Sequence, residues 1–364
     1  MTGKNKPVEV ASMLTTEDIQ AWYEANPLPP SKAEGTFPII GSENTYWKTM
    51  QNRSLKKNIA ADPISPNSTV PVSGRKGFKD VMGEMATFGK GREMTADEIE
   101  KFERLKRNFA QLQNATAARE LLDYYGDDLG FVRDAMYAEM TYLDWTLISS
   151  ACEIGFVAAN SPYMQGITGM DYGLEAWQKD AVGTSWDNPA AEILGDIESA
   201  IDLGDEYSKV YTTIFINKKW WTYVRNNTQI QKYTASLAAN LFDTQAPPTL
   251  DAVNAMLAQY FSGPIAFEVI DERVTRVDLD GNEVTSNPFA NGVAVFAQSK
   301  VLGHFQWNAL PIIDPRETTE SWFTVGNITK VDPSYSKIYA KGRGFPVIDT
   351  YHENFYLKVD AVAW

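Results

Sequence analysis

The chain has 364 residues, of which 44% are hydrophobic and 12% aromatic, and its formal net charge at pH 7 is −14. This composition excludes a disordered chain, and the negative charge argues against a general nucleic-acid-binding protein, because a phosphate backbone attracts cationic surfaces. The one cysteine, Cys152, excludes an internal disulfide and suits a reducing cytoplasm.

The first part of the chain is rich in proline, with eight of the 18 prolines in residues 1–71. Proline fixes φ and lacks an N–H donor, so only one short helix is predicted there, over Thr16–Ala25. The amino terminus, MTGKNKPVEV, has no apolar signal-peptide core, and no run of 18 apolar residues predicts a membrane span.

A basic segment follows. Residues 45–93 carry nine Lys and Arg but four acids, so their net charge is +5 and the other residues carry −19 (−14 minus +5). The segment is either a solvated loop or an arm that docks on an acidic neighbouring copy. Trp47, Phe78 and Val81 have no evident place within one subunit, which favours docking on a neighbour.

Two helices are predicted in the middle of the chain. Thr95 and Glu98 form a capping-box pattern that begins the first helix. The second is a long amphipathic helix over about 128–155, because apolar residues recur every three or four positions. Its apolar stripe is Leu129, Val132, Met136, Met140, Leu143, Leu147, Ala151 and Ile154. Its polar face is Arg133, Asp134, Glu139, Asp144 and Glu153.

The second half of the chain alternates helices and strands, which predicts an α+β fold with mixed sheets. Asn188 with Pro189, Asn217 and Thr249 are the predicted helix starts. A glycine-rich hairpin is predicted over Tyr163–Glu175, and a second hairpin turns at Asp278–Asn282. Strands are predicted over 210–216, 293–298, 323–328 and 355–362.

Motifs that carry chemistry are scarce. His304 and His352 have no second ligand at metal spacing, and the chain has no P-loop or nucleophile-elbow motif. The turn at Asp278–Asn282 lacks the glycine and glutamate positions of a calcium loop. We therefore predict no catalytic, cofactor-binding or metal site, and no enzyme.

The order of five short motifs resembles the lambda-type major capsid protein family of tailed bacteriophages, which has the Hong Kong 97-type fold. The motifs are Phe88–Arg92 before a helix, Arg133 with Glu139, the Met170–Gly173 turn, Trp186–Pro189 with Asp196–Ile197, and Gly344–Val347 before a last strand. The resemblance covers about residues 88–364. Residues 1–87 match in character alone.

The resemblance implies an N-terminal arm over 1–45 and an extended loop, the E-loop, over 46–94. It implies a peripheral domain over 95–186 that contains the long spine helix, an axial domain over 187–343, and a return to the peripheral domain over 344–364. The candidate contacts between subunits are Lys56, Lys57, Arg75, Lys76, Phe78, Lys79 and Val81.

The implied function is a structural head protein that self-assembles, as hexamers and pentamers, into an icosahedral shell around double-stranded DNA without binding it specifically. The implied partners are a separate scaffolding protein, a portal and a decoration protein. The implied location is the virion capsid, with the host cytoplasm during assembly. The alternative is an aromatic-rich carbohydrate-binding or fibre protein, because the chain has 17 tyrosines and ten tryptophans.

Overall fold

The computed structural model describes residues 16–29, 31–51, 79–112, 115–154, 170–237, 247–277, 282–312, 317–331 and 334–364. Among these residues the α-helices are α1 (Thr16–Ala25), α2 (Lys32–Thr36), α3 (Ala96–Leu112), α4 (Ala115–Ser149), α5 (Ile193–Glu206), α6 (Lys218–Asn226), α7 (Thr228–Leu237) and α8 (Leu250–Tyr260).

The strands are β1 (Ile39–Gly41), β2 (Tyr46–Gln51), β3 (Lys79–Glu84), β4 (Ala86–Met94), β5 (Glu153–Ile154), β6 (Met170–Asp171), β7 (Lys179–Ala181), β8 (Thr213–Asn217), β9 (Ala266–Ile270), β10 (Val274–Val277), β11 (Glu283–Ser286), β12 (Val293–Ala297), β13 (Gly303–Trp307), β14 (Thr318–Glu320), β15 (Phe323–Val331), β16 (Ser334–Ile348) and β17 (Phe355–Lys358).

A six-stranded sheet is built around β16. The strand order is β1–β13–β16–β15–β14, and β4 pairs with β16 on its remaining edge. Gly344 of β16 lies opposite both Ala86 of β4 and Trp307 of β13, so β4 and β13 flank β16 from opposite sides. All pairs are antiparallel except β1 with β13. Side chains of this sheet pack against the middle of α4, from Leu129 to Met140.

A five-stranded sheet has the order β7–β17–β12–β8–β9. Every residue of β8 and β12 is buried, which is typical of strands covered on both faces. Alternate residues serve two cores: Phe215 and Val295 join the core at the end of α4, whereas Ile214 and Phe296 join the core under helices α5–α8. This sheet therefore separates two cores and contributes to both.

Helix α4 begins and ends earlier than predicted, at Ala115 rather than near Asp128 and at Ser149 rather than near 155. Gly126, just before the predicted start, lies inside the helix, where an added Cβ would be 2.7 Å from Nε1 of Trp22. Gly126 therefore leaves space for the Trp22 ring and does not end the helix. After Ser149, Ala151 and Cys152 both have positive φ, of 56° and 58°, and reverse the chain.

The apolar stripe of α4 is buried as predicted. Leu129, Val132, Met136 and Met140 pack with Phe305, Trp322 and Ile338 of the six-stranded sheet. Further along the helix, Leu143, Trp145, Leu147 and Ile148 pack into the core that reaches the five-stranded sheet. Ala151 and Ile154 are buried too, although they follow the helix.

Several predicted boundaries differ from the observed ones. The helix expected at Asn188–Pro189 begins at Ile193, because Asn188 Oδ1 accepts a hydrogen bond from Ala190 N and forms a turn instead. Asn217 and Thr249 cap their helices as predicted. The strand predicted over 210–216 is Thr213–Asn217, that over 293–298 is Val293–Ala297, that over 323–328 is Phe323–Val331, and that over 355–362 is Phe355–Lys358.

The two predicted hairpins are only partly described. Strands β10 and β11 pair in the register expected for the hairpin at Asp278–Asn282, and residues 278–281 lie outside the described residues. Most of the hairpin predicted over Tyr163–Glu175 also lies outside them, and Met170–Asp171 pairs with Glu153–Ile154.

The domain limits inferred from the resemblance do not follow the sheets. A boundary between residues 343 and 344 falls within β16, and β13–β15, which were assigned to the axial domain, lie in the six-stranded sheet. Strand β17, assigned to the peripheral domain, lies in the five-stranded sheet. These pairings join segments that are far apart in the chain, so sequence order alone did not show them.

Asp144 is the one residue of the predicted polar face of α4 that is fully buried, which corrects its assignment to solvent. Neither carboxylate oxygen has a hydrogen-bond partner among the described residues. Burial, and next the negative charge of Glu272, raise the pKa of Asp144 well above its usual value. The side chain is therefore held as the neutral acid over a wide pH range.

The buried carboxyl of Asp144 predicts an unusual pH dependence of stability. As pH rises above about 4, the unfolded chain loses this proton while the folded chain keeps it, so the free energy of unfolding falls by about 1.4 kcal/mol per pH unit from this group. Asp144→Asn removes that slope. We expect the variant to be more stable than the wild type by a margin that grows as the pH rises from about 4 towards 7, measured by urea unfolding of unassembled subunits.

Asp127→Asn is the matched control, because Asp127 is exposed on the same helix. Its unfolding curves should follow those of the wild type at every pH. Equal pH slopes for all three proteins would show that Asp144 ionises normally in the folded state.

Candidate assembly surfaces

The E-loop predicted over 46–94 begins as a two-stranded ribbon made of β2 and β3. Trp47 lies opposite Gly83, and Thr49 lies opposite Val81. Trp47 is fully buried and stacks between Tyr172 and Phe345, with ring centroids 5.4 and 5.6 Å away. A Cβ on Gly83 would be 2.9 Å from the Trp47 ring, so glycine is required there. The ribbon is thus held against its own subunit.

Polar contacts fix the direction of the ribbon. Thr49 Oγ1 donates to Asp349 Oδ1 at 3.5 Å, and Asp349 Oδ2 lies 2.8 Å from His304 Nδ1. On the other side, Gln306 Nε2 donates to the backbone oxygen of Tyr46 at 3.4 Å. Since His304 and Gln306 belong to β13, the ribbon is tied to the six-stranded sheet.

The predicted contact residues are distributed unevenly over the described residues. Lys56, Lys57, Arg75, Lys76 and Phe78 lie outside them. Lys79 begins β3, but its side chain is not described.

Trp47 and Val81 were expected to lack a place in their own subunit, and this expectation is wrong. Both belong to the core at the end of α4, with exposed fractions of 0% and 8%. Their partners Tyr172, Phe345 and Tyr351 lie far away in sequence, so these contacts could not be predicted from local pattern. Val81 consequently has little surface left for a neighbour.

The N-terminal arm is held on α4 through aromatic side chains. The guanidinium of Arg133 lies 5.1 Å from the ring centre of Trp22 and 5.6 Å from that of Tyr23, and also donates to the backbone oxygen of Asn26. Tyr23 Oη donates to Leu129 O at 3.3 Å, and burial raises the pKa of Tyr23. Arg133, which the sequence prediction placed on the polar face, therefore positions the arm.

A second contact holds the arm at α2. Glu272 accepts hydrogen bonds from the backbone N–H of Lys32, at 2.6 Å, and from Nε1 of Trp145, at 2.5 Å. The ammonium group of Lys32 donates to Val269 O at 2.7 Å and lies 3.5 Å from Asp271. These contacts join the arm, α4 and the end of β9.

Metal-binding side chains are not clustered in the part of the chain that the structure describes. No set of three or more His, Cys, Asp or Glu side chains there could hold a metal ion. His352 lies 3.5 Å from Glu353. Burial raises the pKa of Cys152 to about 12, so its thiol is not poised for reaction. Among the described residues, no helix is long and apolar enough to cross a membrane.

Comparison with solved structures shows the fold. The chain is similar to a putative capsid protein of an Escherichia coli prophage, with a TM-score of 0.58, 13% sequence identity, and coverage of 95% of this chain and 99% of that chain. It is also similar to a phage-related protein from Bordetella bronchiseptica, with a TM-score of 0.53, 8% identity, and coverage of 96% and 99%. No protein-family model and no curated protein matches the sequence.

These similarities confirm the predicted fold class, the α+β Hong Kong 97-type fold of phage capsid proteins. The identity of 13% or less shows the fold and not the function.

The place of Trp47 in the core leads to a stability prediction. Trp47→Ala removes a fully buried ring and is expected to lower the free energy of unfolding by about 3–5 kcal/mol. Tyr46→Ala is the control, because Tyr46 is the next residue of β2 and is 47% exposed; its effect should stay within about 0.5 kcal/mol. Thermal and urea unfolding of both variants measure this. Similar losses for the two variants would contradict the core position of Trp47.

The contacts of Arg133 lead to a prediction about the arm. Arg133→Ala removes about 1–2 kcal/mol of arm docking, so the open arm becomes about five to thirty times more populated. Limited chymotrypsin digestion should cleave after Trp22 or Tyr23 faster by that factor. Arg104→Ala, on an exposed position of α3, should leave the rate unchanged. An unchanged rate for Arg133→Ala would show that other contacts hold the arm.

Proposed function

We propose that this chain is the major capsid protein of a tailed phage, a structural protein and not an enzyme, which self-assembles into the icosahedral head that encloses double-stranded DNA. The observation that supports this proposal most is the fold, which matches a putative prophage capsid protein along nearly the full length of both chains.

The charge distribution along the chain also supports assembly into a shell. The segment between the two strands of the ribbon is basic, whereas the rest of the chain is acidic. Opposite charges on different parts of one subunit favour head-to-tail association of identical copies. The net charge of −14 suits a shell that encloses DNA without binding it tightly, because the protein and the phosphate backbone are both negative.

Within this proposal the sheets define the domains better than the sequence limits did. The six-stranded sheet with α3 and α4 would be the peripheral domain, and the five-stranded sheet with α5–α8 would be the axial domain around hexamer and pentamer axes. A scaffolding protein, a portal and a decoration protein are the other proposed partners. The proposed location is the virion capsid, and the host cytoplasm during assembly.

The positions of the tryptophans disfavour a carbohydrate-binding or fibre protein. Trp47, Trp145, Trp186 and Trp322 are at most 1% exposed, and Trp220 and Trp221 at most 8%. A glycan platform needs aromatic faces at the surface. Most of the tryptophans instead fill the cores.

Sizing and electron microscopy of the purified full chain test the proposed function directly. We expect rings, shells or larger assemblies at micromolar concentration, with or without a scaffolding protein. A stable monomer under all of these conditions would overturn the proposal.

Charge reversal tests the proposed role of the basic segment. Arg75, Lys76 and Lys79 all changed to Glu should reduce shell yield strongly while the far-UV circular dichroism spectrum stays that of the wild type. Single exposed pairs contribute about 0–1 kcal/mol, so three reversals are needed for a clear loss.

The matched control changes Lys101, Arg104 and Arg107 to Glu, which alters the net charge equally at exposed positions of α3. This control should assemble. Normal shells from the folded Arg75, Lys76 and Lys79 variant would show that the segment does not engage a neighbour through charge.

A further inference from the structure

A cavity of about 350 Å³ lies between the N-terminal arm and the body of the subunit. The arm supplies Leu28 and, from α2, Glu34 to its wall, helix α4 supplies Tyr137 and Thr141, and the edge strand β14 supplies Glu320. Pockets that bind small organic molecules have volumes of about 300–1,000 Å³, so this cavity is large enough for one.

Two carboxylates in the cavity wall have no partner. Glu34 and Glu320 are partly buried, and neither carboxylate forms a hydrogen bond or an ion pair among the described residues. Both charges act on the same phenol. Burial raises the pKa of Tyr137, a hydrogen bond with Ser321 lowers it, and the negative charges of Glu34 and Glu320 raise it further.

The cationic side chain in the wall, Arg133, is already occupied. Its guanidinium lies 3.3 Å from Asp134, donates to the backbone oxygen of Asn26, and covers the rings of Trp22 and Tyr23. The charges that remain for a ligand are therefore negative, and they attract a cation.

A buried hydroxyl group also lacks a partner in this cavity. Thr141 is 8% exposed, lines the cavity, and makes no side-chain hydrogen bond within the described part of the chain. A helical threonine can instead bond back along its helix, as Thr234 does with the backbone oxygen of Ile230 at 2.7 Å. Because an unpaired buried hydroxyl costs free energy, the Thr141 oxygen is suited to accept a hydrogen bond from a ligand.

The rest of the wall indicates what kind of cation fits. Pro27, Leu28 and Pro29 form an apolar side, which suits methylene groups. Glu34 and Glu320 come from different elements, α2 and β14, so each can hold its own ammonium group. A metal ion fits less well, because the described residues offer no set of three acidic, His or Cys ligands.

We propose that this cavity binds a linear alkyl diammonium ion, with its ammonium groups on Glu34 and Glu320 and its methylene chain against Pro27 and Leu28. Since the arm forms one side of the cavity, and α4 and β14 form the others, a bound diamine holds the arm on the body. This inference does not depend on the proposed function, because binding needs only a folded subunit.

Isothermal titration calorimetry of the full chain with putrescine tests the site. Glu34→Gln combined with Glu320→Gln keeps the shape of the wall but removes both charges, and should weaken binding about ten-fold or more. The matched control is Glu198→Gln combined with Asp202→Asn, which changes the net charge equally at exposed positions of α5 and should bind as the wild type does. Butylamine, which has one ammonium group, should bind the wild type about ten-fold more weakly than putrescine.

Three outcomes of the titration would overturn the proposal. The first is the absence of binding by the wild type at millimolar putrescine. The second is equal binding by the Glu34 and Glu320 variant and by the α5 control, which would place the diamine elsewhere. The third is equal affinity for butylamine, or displacement of putrescine by Mg²⁺ at the same ionic strength, which would contradict the diammonium class.

Protease digestion gives an independent measurement of the arm. Saturating putrescine should slow chymotrypsin cleavage after Trp22 or Tyr23 about five-fold in the wild type and in the α5 control, because the occupied cavity holds the arm closed. The Glu34 and Glu320 variant should show no such slowing, which also controls for any effect of putrescine on the protease. An unchanged rate in the wild type, or equal slowing in all three proteins, would contradict the link between the cavity and the arm.

Discussion

The structure depends on one apolar stripe along α4. The helix has 35 residues, about 52 Å at roughly 1.5 Å per residue, and a helix in water owes most of its stability to such packing. The stripe meets the six-stranded sheet near Met136 and the second core near Leu147. Because both contacts lie on one rigid helix, the position of each sheet relative to the other follows from the rotation and length of α4.

The ribbon of β2 and β3 has one face that is buried against its own subunit and one face that is exposed. The stacking of Trp47 between Tyr172 and Phe345, together with the close approach of Gly83, sets the ribbon against the core. The strand alternation then determines which side chains are presented outward. A substitution inside the core can thus alter the presentation of a surface that it does not touch, since the ribbon is oriented by its buried face.

Much of the fold could be predicted from the sequence, and what could not be predicted has physical reasons. The period of the α4 stripe showed which residues are buried, and the side chains of Asn217 and Thr249 marked helix starts because capping is a local interaction. The start of α4 was predicted too late in the chain, since Gly126, a glycine needed for packing against Trp22, looks the same in sequence as one that breaks a helix.

The candidate surfaces were harder to predict, because they depend on contacts between distant segments. The strands β2 and β3 are separated by 27 residues (52–78), so their pairing has no turn signature. Asp144 was assigned to solvent because a charge usually is exposed, and only the fold shows that it is covered. The overall fold came from the order of motifs, which together resemble a known family, and not from any one of them.

Strand β16 has a mechanical consequence for the subunit. It has 15 residues, about 50 Å at roughly 3.4 Å per residue, and hydrogen-bonds with β4 on one edge and with β15 and β13 on the other. Tension along the axis of β16 acts on all of these backbone hydrogen bonds in shear at the same time. Tension that pulls the open ends of the β10–β11 hairpin apart would instead break its hydrogen bonds one after another. The subunit therefore resists stretching along β16 more strongly than it resists opening of the β10–β11 hairpin.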